Sequence, residues 1–435
     1  MATKFHLGWF LQGSSVQAWG EPWTGNIGTD WMQPRFFMEM AQNLERVGFD
    51  YILIEDSSYI GESFNGRGIY LNAALSVPRQ DPSVVAALMT QVTKRIGIVP
   101  TFGTFAYPPY LLARLVATLD QVSAGRIGWN MVTGSSDYAA RNFGLPGMPD
   151  HDLRYDMADE YIDVVKKLWA SWEPGALVAD NQTGVFADPS KVHSVDFEGK
   201  WYKVRGPLNS GPAPQGQPVI AQAGGSPRGR QFAAGHADTI VTSVKGIAGM
   251  KAYRDDVRAR AKALGRNPDH IKLLFLVDPI IGETMEEAEM KKARKAARAA
   301  ERLHERLAHF GKTLNIDFST MDLDKPIGEL TTNGHQQSLD EFKKKAGNKT
   351  LREAMAEWNS TSLCVELLGT PDAIASQMEE AMQEVGGDGF LFSMPNVSRR
   401  TVAEVTDGLL PALQARGLVR KKYAFEQLRD NLLEY

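Results

Sequence analysis

Eight short apolar runs, separated by stretches of helical periodicity, constrain the fold of this chain more than any other feature. They lie at residues 5–10, 51–55, 95–100, 127–132, 219–223, 239–244, 271–281 and 390–394. Most are apolar throughout, as expected of strands buried on both faces of a parallel sheet. Eight strand–helix units without a second repeat favour a closed TIM (β/α)8 barrel over an open, doubly wound sheet. We therefore predict one α/β barrel domain over residues 1–435, with insertions at its C-terminal face.

Two segments are longer than the repeating units require. Residues 175–216 are rich in Gly, Pro, Asp and Asn, and we expect an excursion with a small hairpin around residues 201–204. Residues 284–365 begin with a charged, alanine-rich helix that extends to about residue 310 and then continue irregularly. Because extensions after barrel strands lie at the face where active sites form, the second segment is a candidate active-site lid. The alternative, a solvated surface decoration, fits its charged first half better.

Composition excludes several classes of function. The 48 basic and 52 acidic residues, with a net charge of −4, provide no electrostatic footprint for nucleic acid or an anionic membrane surface. A single cysteine, Cys364, excludes an intrachain disulfide and a cysteine-rich metal site, and the eight histidines lack metal-site spacing. The start of the chain lacks a signal-peptide pattern, and no apolar run reaches the ~18 residues of a membrane span. We expect a cytoplasmic protein without a metal.

One group of residues predicts a phosphate site. Ser226 follows a predicted strand and two glycines, Gly225 being the second, and a helix begins directly after it. Its hydroxyl and the neighbouring N–H groups would face an anion at the positive end of that helix. His151 and Tyr155, spaced i and i+4, share one face of the first turn of another helix and would reach the same anion. The alternative is that His151 only caps its helix and Tyr155 only packs.

Polar and aromatic side chains follow the first four predicted strands. Asp56, Thr104, Asn130 and Thr133 lie at strand ends and would form hydrogen bonds around a flat heterocycle, although ordinary turn residues also occur there. The aromatic residues after the first and third strands are Trp9, Phe10, Trp19, Trp23, Trp31, Phe105 and Tyr107. Such clusters are common in cores, but at the open end of a barrel they indicate a dry pocket for an uncharged or aromatic substrate.

Several phrases of the sequence resemble one known family. They are residues 117–120, 125–126, 129–133, 142–144, 151–155, 188–193, 205–207 and 222–226. The chain resembles the bacterial-luciferase-like superfamily from about residue 5 to its C-terminus, most densely between residues 95 and 235. The resemblance is strongest to the branch of two-component, FMNH2-dependent monooxygenases that includes the dibenzothiophene sulfone, long-chain alkane and nitrilotriacetate monooxygenases.

The resemblance implies a TIM barrel that binds FMN with the isoalloxazine ring at its C-terminal mouth. It implies that residues after the second, third and fourth strands surround the ring and ribityl chain: Asp56, Thr104, Asn130, Thr133, Gly134 and Ser135. It implies that a second group holds the phosphate: His151, Tyr155, Gly225 and Ser226.

The resemblance also implies the reaction and the partners. A separate NAD(P)H:flavin reductase would supply FMNH2, and O2 would add to give a flavin peroxide that attacks a small, largely apolar substrate. His309 matches a histidine of the family's insertion that reaches the active site, and with Thr104 and Asp56 it is an expected catalytic residue. Its alternative is an exposed histidine on a charged helix. A homodimer or homotetramer is expected from the family.

The chain departs from its relatives on the substrate side. Ser135 stands where the alkane enzyme has a histidine, and Ser14 where it has a cysteine. The residues expected to line the substrate pocket are Phe10, Ser14, Trp19, Tyr59 and Phe105. A heteroaromatic, organosulfur or halogenated compound would fit them. Two alternatives stay open, an F420-dependent oxidoreductase and a flavin-binding protein without turnover.

Overall fold

Eight parallel strands close into a barrel in the computed structural model, which describes residues 4–12, 32–358, 363–395 and 397–435. The barrel strands are β1 (His6–Leu11), β2 (Tyr51–Ile54), β3 (Gly97–Gly103), β4 (Gly128–Val132), β5 (Val219–Gln222), β6 (Thr239–Thr242), β7 (Lys272–Val277) and β8 (Gly389–Phe392). Each strand pairs in parallel with its neighbours in sequence, and β8 pairs with β1. The predicted TIM barrel is therefore confirmed.

Helices surround the barrel, extend from its C-terminal face and, in α16, cover its N-terminal end. They are α1 (Arg35–Arg46), α2 (Gly68–Asn72), α3 (Pro82–Val92), α4 (Pro109–Val122), α5 (Asp137–Asn142), α6 (His151–Trp169), α7 (Pro227–His236), α8 (Gly246–Ala263), α9 (Met285–Glu301), α10 (Leu303–Leu314), α11 (Gln336–Ala346), α12 (Leu351–Glu357), α13 (Pro371–Val385), α14 (Arg399–Ala403), α15 (Leu410–Ala415) and α16 (Leu428–Leu432). Short 3-10 turns lie at Pro189–Lys191, Pro268–His270 and Phe318–Thr320, and a π-helical turn lies at Glu404–Leu409. No helix in the described ranges is long and apolar enough to cross a bilayer.

The barrel strands are buried on both faces. One set of side chains fills the interior: Phe10, Tyr51, Leu53, Val99, Val219, Ala221, Val241, Leu274, Leu276 and Leu391. Leu428 and Leu432 of α16 join this cluster and fill the N-terminal end of the barrel, where a side chain on Gly97 would meet Leu428 Cδ1 at 2.5 Å. The other faces of the strands pack on the surrounding helices, which explains the continuous apolar runs in the sequence.

An ionic cluster lies at the N-terminal face of the barrel. Arg420, 1% exposed, donates to Asp50 Oδ1 at 2.6 Å and to the Asn431 carbonyl at 2.9 Å. Asp50 Oδ1 also lies 2.8 Å from His6 Nδ1, and its other oxygen accepts from the Leu7 N–H at 2.8 Å. Burial opposes ionisation of Asp50, but the charges of Arg420 and His6 hold its pKa below the ordinary 3.8. The cluster ties the start of β1 to the segment that follows α15.

The segment 175–216 lies near this same end of the barrel and not at the C-terminal face as expected. It follows α6 rather than a strand, and Gln215 Nε2 donates to the Ile127 carbonyl just before β4 at 2.8 Å. It contains two antiparallel strand pairs, Leu177–Asp180 with Val185–Ala187 and Phe197–Glu198 with Lys203–Val204. The expectation of a C-terminal position was wrong because only segments that follow a strand start at that face.

The segment after β7 starts at the C-terminal face and folds into helices α9 to α12. The helix expected to reach about residue 310 ends at Glu301, and α10 begins at Leu303. The run 271–281 is also divided, because Ile280–Ile281 leaves the barrel to pair with Leu368–Gly369. The segment has a hydrophobic core of its own: Leu307, Phe310, Leu314, Ile316, Phe318, Leu339, Phe342, Ala346, Leu351, Ala354 and Met355.

Candidate active site

Two helix N-termini meet at one corner of the barrel mouth. Ser226 is the N-cap of α7, where its Oγ accepts from the Gly229 N–H at 3.0 Å. The same Oγ lies 3.4 Å from Nε2 of His151, the first residue of α6. The Tyr155 ring packs on His151 with 5.2 Å between the ring centroids. Because both helix dipoles are positive at this end, the corner favours an anion. We call His151, Tyr155, Gly225 and Ser226 the cradle.

Close packing explains the glycines of the cradle turn. A side chain on Gly224 would place its Cβ 2.3 Å from the Gly229 carbonyl oxygen, and one on Gly225 would place it 1.4 Å from Gln337 Oε1. A Cβ on Gly229 would lie 2.8 Å from the Tyr155 hydroxyl. The turn therefore requires glycine at Gly224, where the backbone of α7 approaches β5, whereas the atom nearest to Gly225 is the end of the flexible Gln337 side chain.

Ion pairs fix α6 against α7 behind the cradle. Arg228 Nη2 donates to Asp156 Oδ1 at 2.8 Å and to Asp159 Oδ2 at 2.5 Å. His236 Nε2 lies 2.8 Å from the other oxygen of Asp159. Burial opposes ionisation of Asp159, but hydrogen bonds with His236 and Arg228 lower its pKa. The carboxylate is therefore ionised, and the two helix starts keep their relative position.

Buried polar atoms at the barrel mouth lack hydrogen-bond partners. Within the described ranges Asn130 Oδ1, within β4, has no partner, and Ser136 Oγ and Gln222 Oε1 lie close to the hydroxyls of Tyr59 and Tyr155 without meeting hydrogen-bond geometry. The Asn130 amide is oriented by its Nδ2, which donates to Thr101 Oγ1 at 2.8 Å. A buried polar atom without a hydrogen-bond partner costs free energy. The polar ring edge of a bound heterocycle, and the chain attached to that ring, would supply partners for these atoms. The residues present therefore fit FMN.

The other residues expected around the ring lie beside these atoms. Thr104 is buried after β3, and its N–H donates to the Val132 carbonyl at 3.0 Å. Thr133, Gly134 and Ser135 form a half-buried loop directly after β4. Gly134 has φ +80°, and a Cβ there would meet Met148 Cε at 2.5 Å, so this turn also requires glycine.

Two carboxylates at the end of β2 differ in their environment. Glu55 Oε2 accepts from Arg79 Nη1 at 2.6 Å, and this charge lowers the Glu55 pKa although burial opposes ionisation. Asp56 lies beside it without such a pair, and burial raises its pKa to about 6, with a further contribution from the Glu55 charge. The two adjacent carboxyl groups thus have different proton affinities, an arrangement suited to acid–base chemistry.

The segment after β7 brings His309 and Lys312 of α10 to the same mouth. His309 is exposed on α10, and the charges of Lys312, Glu55 and Arg79 act on its ring. Burial and the nearby Lys312 charge lower its pKa to about 4, against the opposing charge of Glu55. Lys312 Nζ donates to Ser57 Oγ at 3.1 Å and lies 4.9 Å from the centre of the Tyr59 ring. Burial and Arg79 lower the Lys312 pKa to about 8.

Aromatic side chains form an apolar wall at this mouth. Tyr59 and Phe105 pack with Ala139, Ala140 and Met148. The Tyr59 hydroxyl donates to the Lys312 carbonyl at 3.2 Å, so the wall extends to α10.

The structure does not bring all of the expected aromatic residues to this wall. Phe10, near the C-terminal end of β1, packs against the interior cluster and is partly buried, so its place in the pocket stays a prediction. Trp9 is fully buried on the outer face of β1, stacked on Phe392 with 6.2 Å between the centroids, so its assignment to the mouth was wrong. Ser14, Trp19, Trp23 and Trp31 lie outside the described residues.

Sequence reasoning missed several residues of the mouth: Glu55, Arg79, Ser136, Gln222, Lys312 and His335. Gln222 lies within a recognised phrase, and its position at the end of an apolar run was a usable signal. Arg79 and Lys312 gave no such signal, because each reaches the mouth from a segment without clear periodicity. In the described ranges no three His, Cys, Asp or Glu side chains form a group suited to a metal ion.

Comparisons with known proteins show which family the chain resembles and agree with the barrel fold. The family model of luciferase-like monooxygenases matches residues 6–389. The dibenzothiophene-sulfone monooxygenase of Rhodococcus erythropolis (strain XP) is 35% identical over 442 residues, which cover 99% of this chain and 96% of that protein. The crystal structure of long-chain alkane monooxygenase has a TM-score of 0.87 at 34% identity, covering 99% of this chain and 96% of that one. The structure of riboflavin lyase with modified FMN and riboflavin has a TM-score of 0.88 at 33% identity, covering 100% and 96%.

Proposed function

The chain belongs to the luciferase-like monooxygenase family and is a flavin-dependent monooxygenase, and from this premise we propose that it uses FMNH2 and O2 to oxygenate a small, largely apolar compound. A separate NAD(P)H:flavin reductase would supply the reduced flavin. The observation that carries the proposal is the meeting of two helix N-termini at Ser226 and His151, beside buried polar atoms that lack partners. A phosphate-bearing heterocycle satisfies both features at once.

The assignment of residues follows from their places at the mouth. The cradle would hold the FMN phosphate. The ring and ribityl chain would lie among the remaining residues of the mouth: Asp56, Thr104, Asn130, Thr133, Gly134 and Ser135. When bound in its reduced form, the flavin supplies the electrons that activate O2.

The protein's own side chains would control protons and water. His309, with a pKa of about 4, is neutral at pH 7, so one ring nitrogen donates a hydrogen bond and the other accepts one. Asp56, with a pKa of about 6, accepts and returns a proton near neutral pH. The wall of Tyr59, Phe105 and Met148 excludes water from the reacting groups. We assign catalytic roles to His309, Asp56 and Thr104.

The apolar wall favours a substrate with an aromatic or aliphatic body. The relatives named for dibenzothiophene sulfone and long-chain alkanes are consistent with such a class. We propose organosulfur and heteroaromatic compounds as the first to be screened, followed by halogenated ones. Tyr59 and Phe105 would contact them.

Anaerobic titration with photoreduced FMN, followed by mixing with oxygenated buffer, tests the proposal. We expect stoichiometric binding and then a transient absorbance species that free reduced FMN does not give, whose decay a true substrate accelerates. Binding without such a transient would contradict the oxygenase proposal and favour an F420-dependent oxidoreductase or a flavin-binding protein without turnover. Absence of binding would contradict the assignment of the cradle.

Substitution of Ser226 tests the cradle directly. Ser226→Ala removes a hydroxyl that faces the expected phosphate, so FMN binding should weaken by about 1–3 kcal/mol, measured by quenching of flavin fluorescence. The same change removes the N-cap of α7. Thr284→Ala, which removes the N-cap of α9, is therefore the matched control and should leave FMN affinity unchanged. Equal affinity in Ser226→Ala and the wild type would remove Ser226 from the site.

A further inference from the structure

We propose that His335, carried by the segment after β7, is a direct ligand of the flavin phosphate and closes the cradle on the side opposite Ser226. This inference rests on the proposed FMN site. It adds to that site a residue of the segment after β7. This residue lies more than 100 residues beyond Ser226 in the chain and does not belong to a strand end or a helix start of the barrel.

The start of α11 touches the turn that carries Gly225 and Ser226, and this contact places His335 beside the cradle. His335 is the N-cap residue of α11, and Gln337 in the first turn of that helix lies against Gly225. The Gln337 side chain occupies the space in which a Cβ of Gly225 would stand, with Oε1 only 1.4 Å from that position. The start of α11 therefore touches the same turn that presents Ser226.

The surroundings of the His335 ring point to the cleft. The ring is exposed, but protein encloses it, and the charges that act on it are those of Arg154, Glu55 and His151. His151 belongs to the cradle, and Glu55 lies at the end of β2 across the mouth. The His335 side chain is exposed, so a ligand bound between the rim of the barrel and the segment after β7 can reach it.

Hydrogen bonds fix the backbone that precedes His335. Arg154 of α6 donates from Nη2 to the Asn333 carbonyl at 3.0 Å and from Nη1 to Asn333 Oδ1 at 3.2 Å. The Gly334 N–H donates to Thr332 Oγ1 at 2.8 Å. Because Arg154 lies three residues after His151, the segment 332–335 is fixed beside the cradle. A side chain held in place in this way loses little entropy when it binds a ligand.

Two arginines near the cradle are engaged elsewhere. Arg228 is paired with Asp156 and Asp159. Arg230 donates to the Gly225 carbonyl at 2.9 Å and to Asp256 Oδ2 at 3.1 Å. A bound phosphate carries nearly two negative charges and three acceptor oxygens, so it can take further donors beside Ser226, Tyr155, His151 and the N–H groups at the starts of α6 and α7. The His335 imidazole would add a donor from the start of α11.

Comparison of FMN with riboflavin, which lacks the phosphate, tests the inference. We expect His335→Ala to raise the Kd for FMN about tenfold or more, the usual loss of a hydrogen bond to a charged group, and to leave the Kd for riboflavin unchanged. His335→Asn keeps an N–H donor and should restore part of the FMN affinity. His270→Ala, at an exposed histidine just before β7 at the opposite end of the barrel, is the matched control and should change neither value.

Each outcome of this experiment has one meaning. Equal losses for FMN and riboflavin would overturn the inference, because they would place His335 on the flavin body or in the folding of the segment. Unchanged affinity for both flavins would also overturn it. A wild-type protein that binds FMN no better than riboflavin would contradict the cradle itself, and with it the proposed function, independently of His335.

Discussion

Replacement of His309 by alanine should lower the rate of oxygenation at saturating FMNH2 by about 10²–10⁴-fold, the usual contribution of a positioned acid–base group, and should leave FMN affinity nearly unchanged. The reason is that His309 lies on α10, above the carboxylates at the end of β2 and away from the cradle. The measurement is the rate of substrate oxygenation under single turnover, alongside the Kd for FMN.

A second histidine of the same helix provides the control for this experiment. His304 is exposed and packs its ring 5.8 Å from that of Phe64. His304→Ala should therefore leave both the rate and the affinity unchanged. A His309→Ala protein with wild-type turnover would show that His309 is only a surface residue of the insertion.

Replacement of Arg420 by methionine should lower the free energy of unfolding by about 3–5 kcal/mol, because it leaves the Asp50 carboxylate buried without its cation. Urea titration followed by tryptophan fluorescence measures this loss. Arg416→Met removes an exposed arginine whose nearest carboxylate, that of Glu379, lies 3.5 Å away, and should cost about 0–1 kcal/mol. Equal losses for the two variants would contradict the central role of the Arg420 pair.

The same cluster predicts how stability depends on pH. The pKa of Asp50 is lower in the folded protein than its ordinary 3.8, so the unfolded chain binds the proton more tightly. The stability that the ionised Asp50 provides is complete above pH 3.8 and is lost as the pH falls through the folded pKa. In Arg420→Met, burial without the cation raises the Asp50 pKa, so the loss should begin at higher pH. Urea midpoints measured between pH 3 and pH 7 for both proteins check this expectation.

The barrel could be predicted from the sequence because its strands are buried on both faces. The same property concealed which face each side chain occupies. Trp9 and Phe10 are adjacent in β1, but Trp9 is buried against the helices and the partly buried Phe10 packs on the interior cluster. An alternating strand would have distinguished them, whereas a continuously apolar one does not.

The residues of the mouth that belong to the barrel could be predicted from the sequence for a physical reason. Strand ends and helix starts such as Asn130 and Ser226 have local signals, namely an apolar run followed by a turn or a cap. Lys312 and His335 have none, because they reach the mouth only through tertiary packing. Lys312 lies 255 residues from Ser57, whose hydroxyl it contacts. Such a pair depends on how the segment after β7 is seated on the rim.

The separate hydrophobic core of that segment has a consequence for how this architecture changes its chemistry. His309, Lys312 and His335 are attached to one packed unit, so their mutual spacing is set by contacts such as Phe310 with Phe342 rather than by the barrel strands. Exchange of this unit between related sequences would alter the proposed acid–base histidine, a cation and the proposed phosphate contact in one step. The barrel and the site residues that it carries would stay intact. New substrate specificities in this architecture can therefore arise by replacement of the whole segment as well as by point substitution.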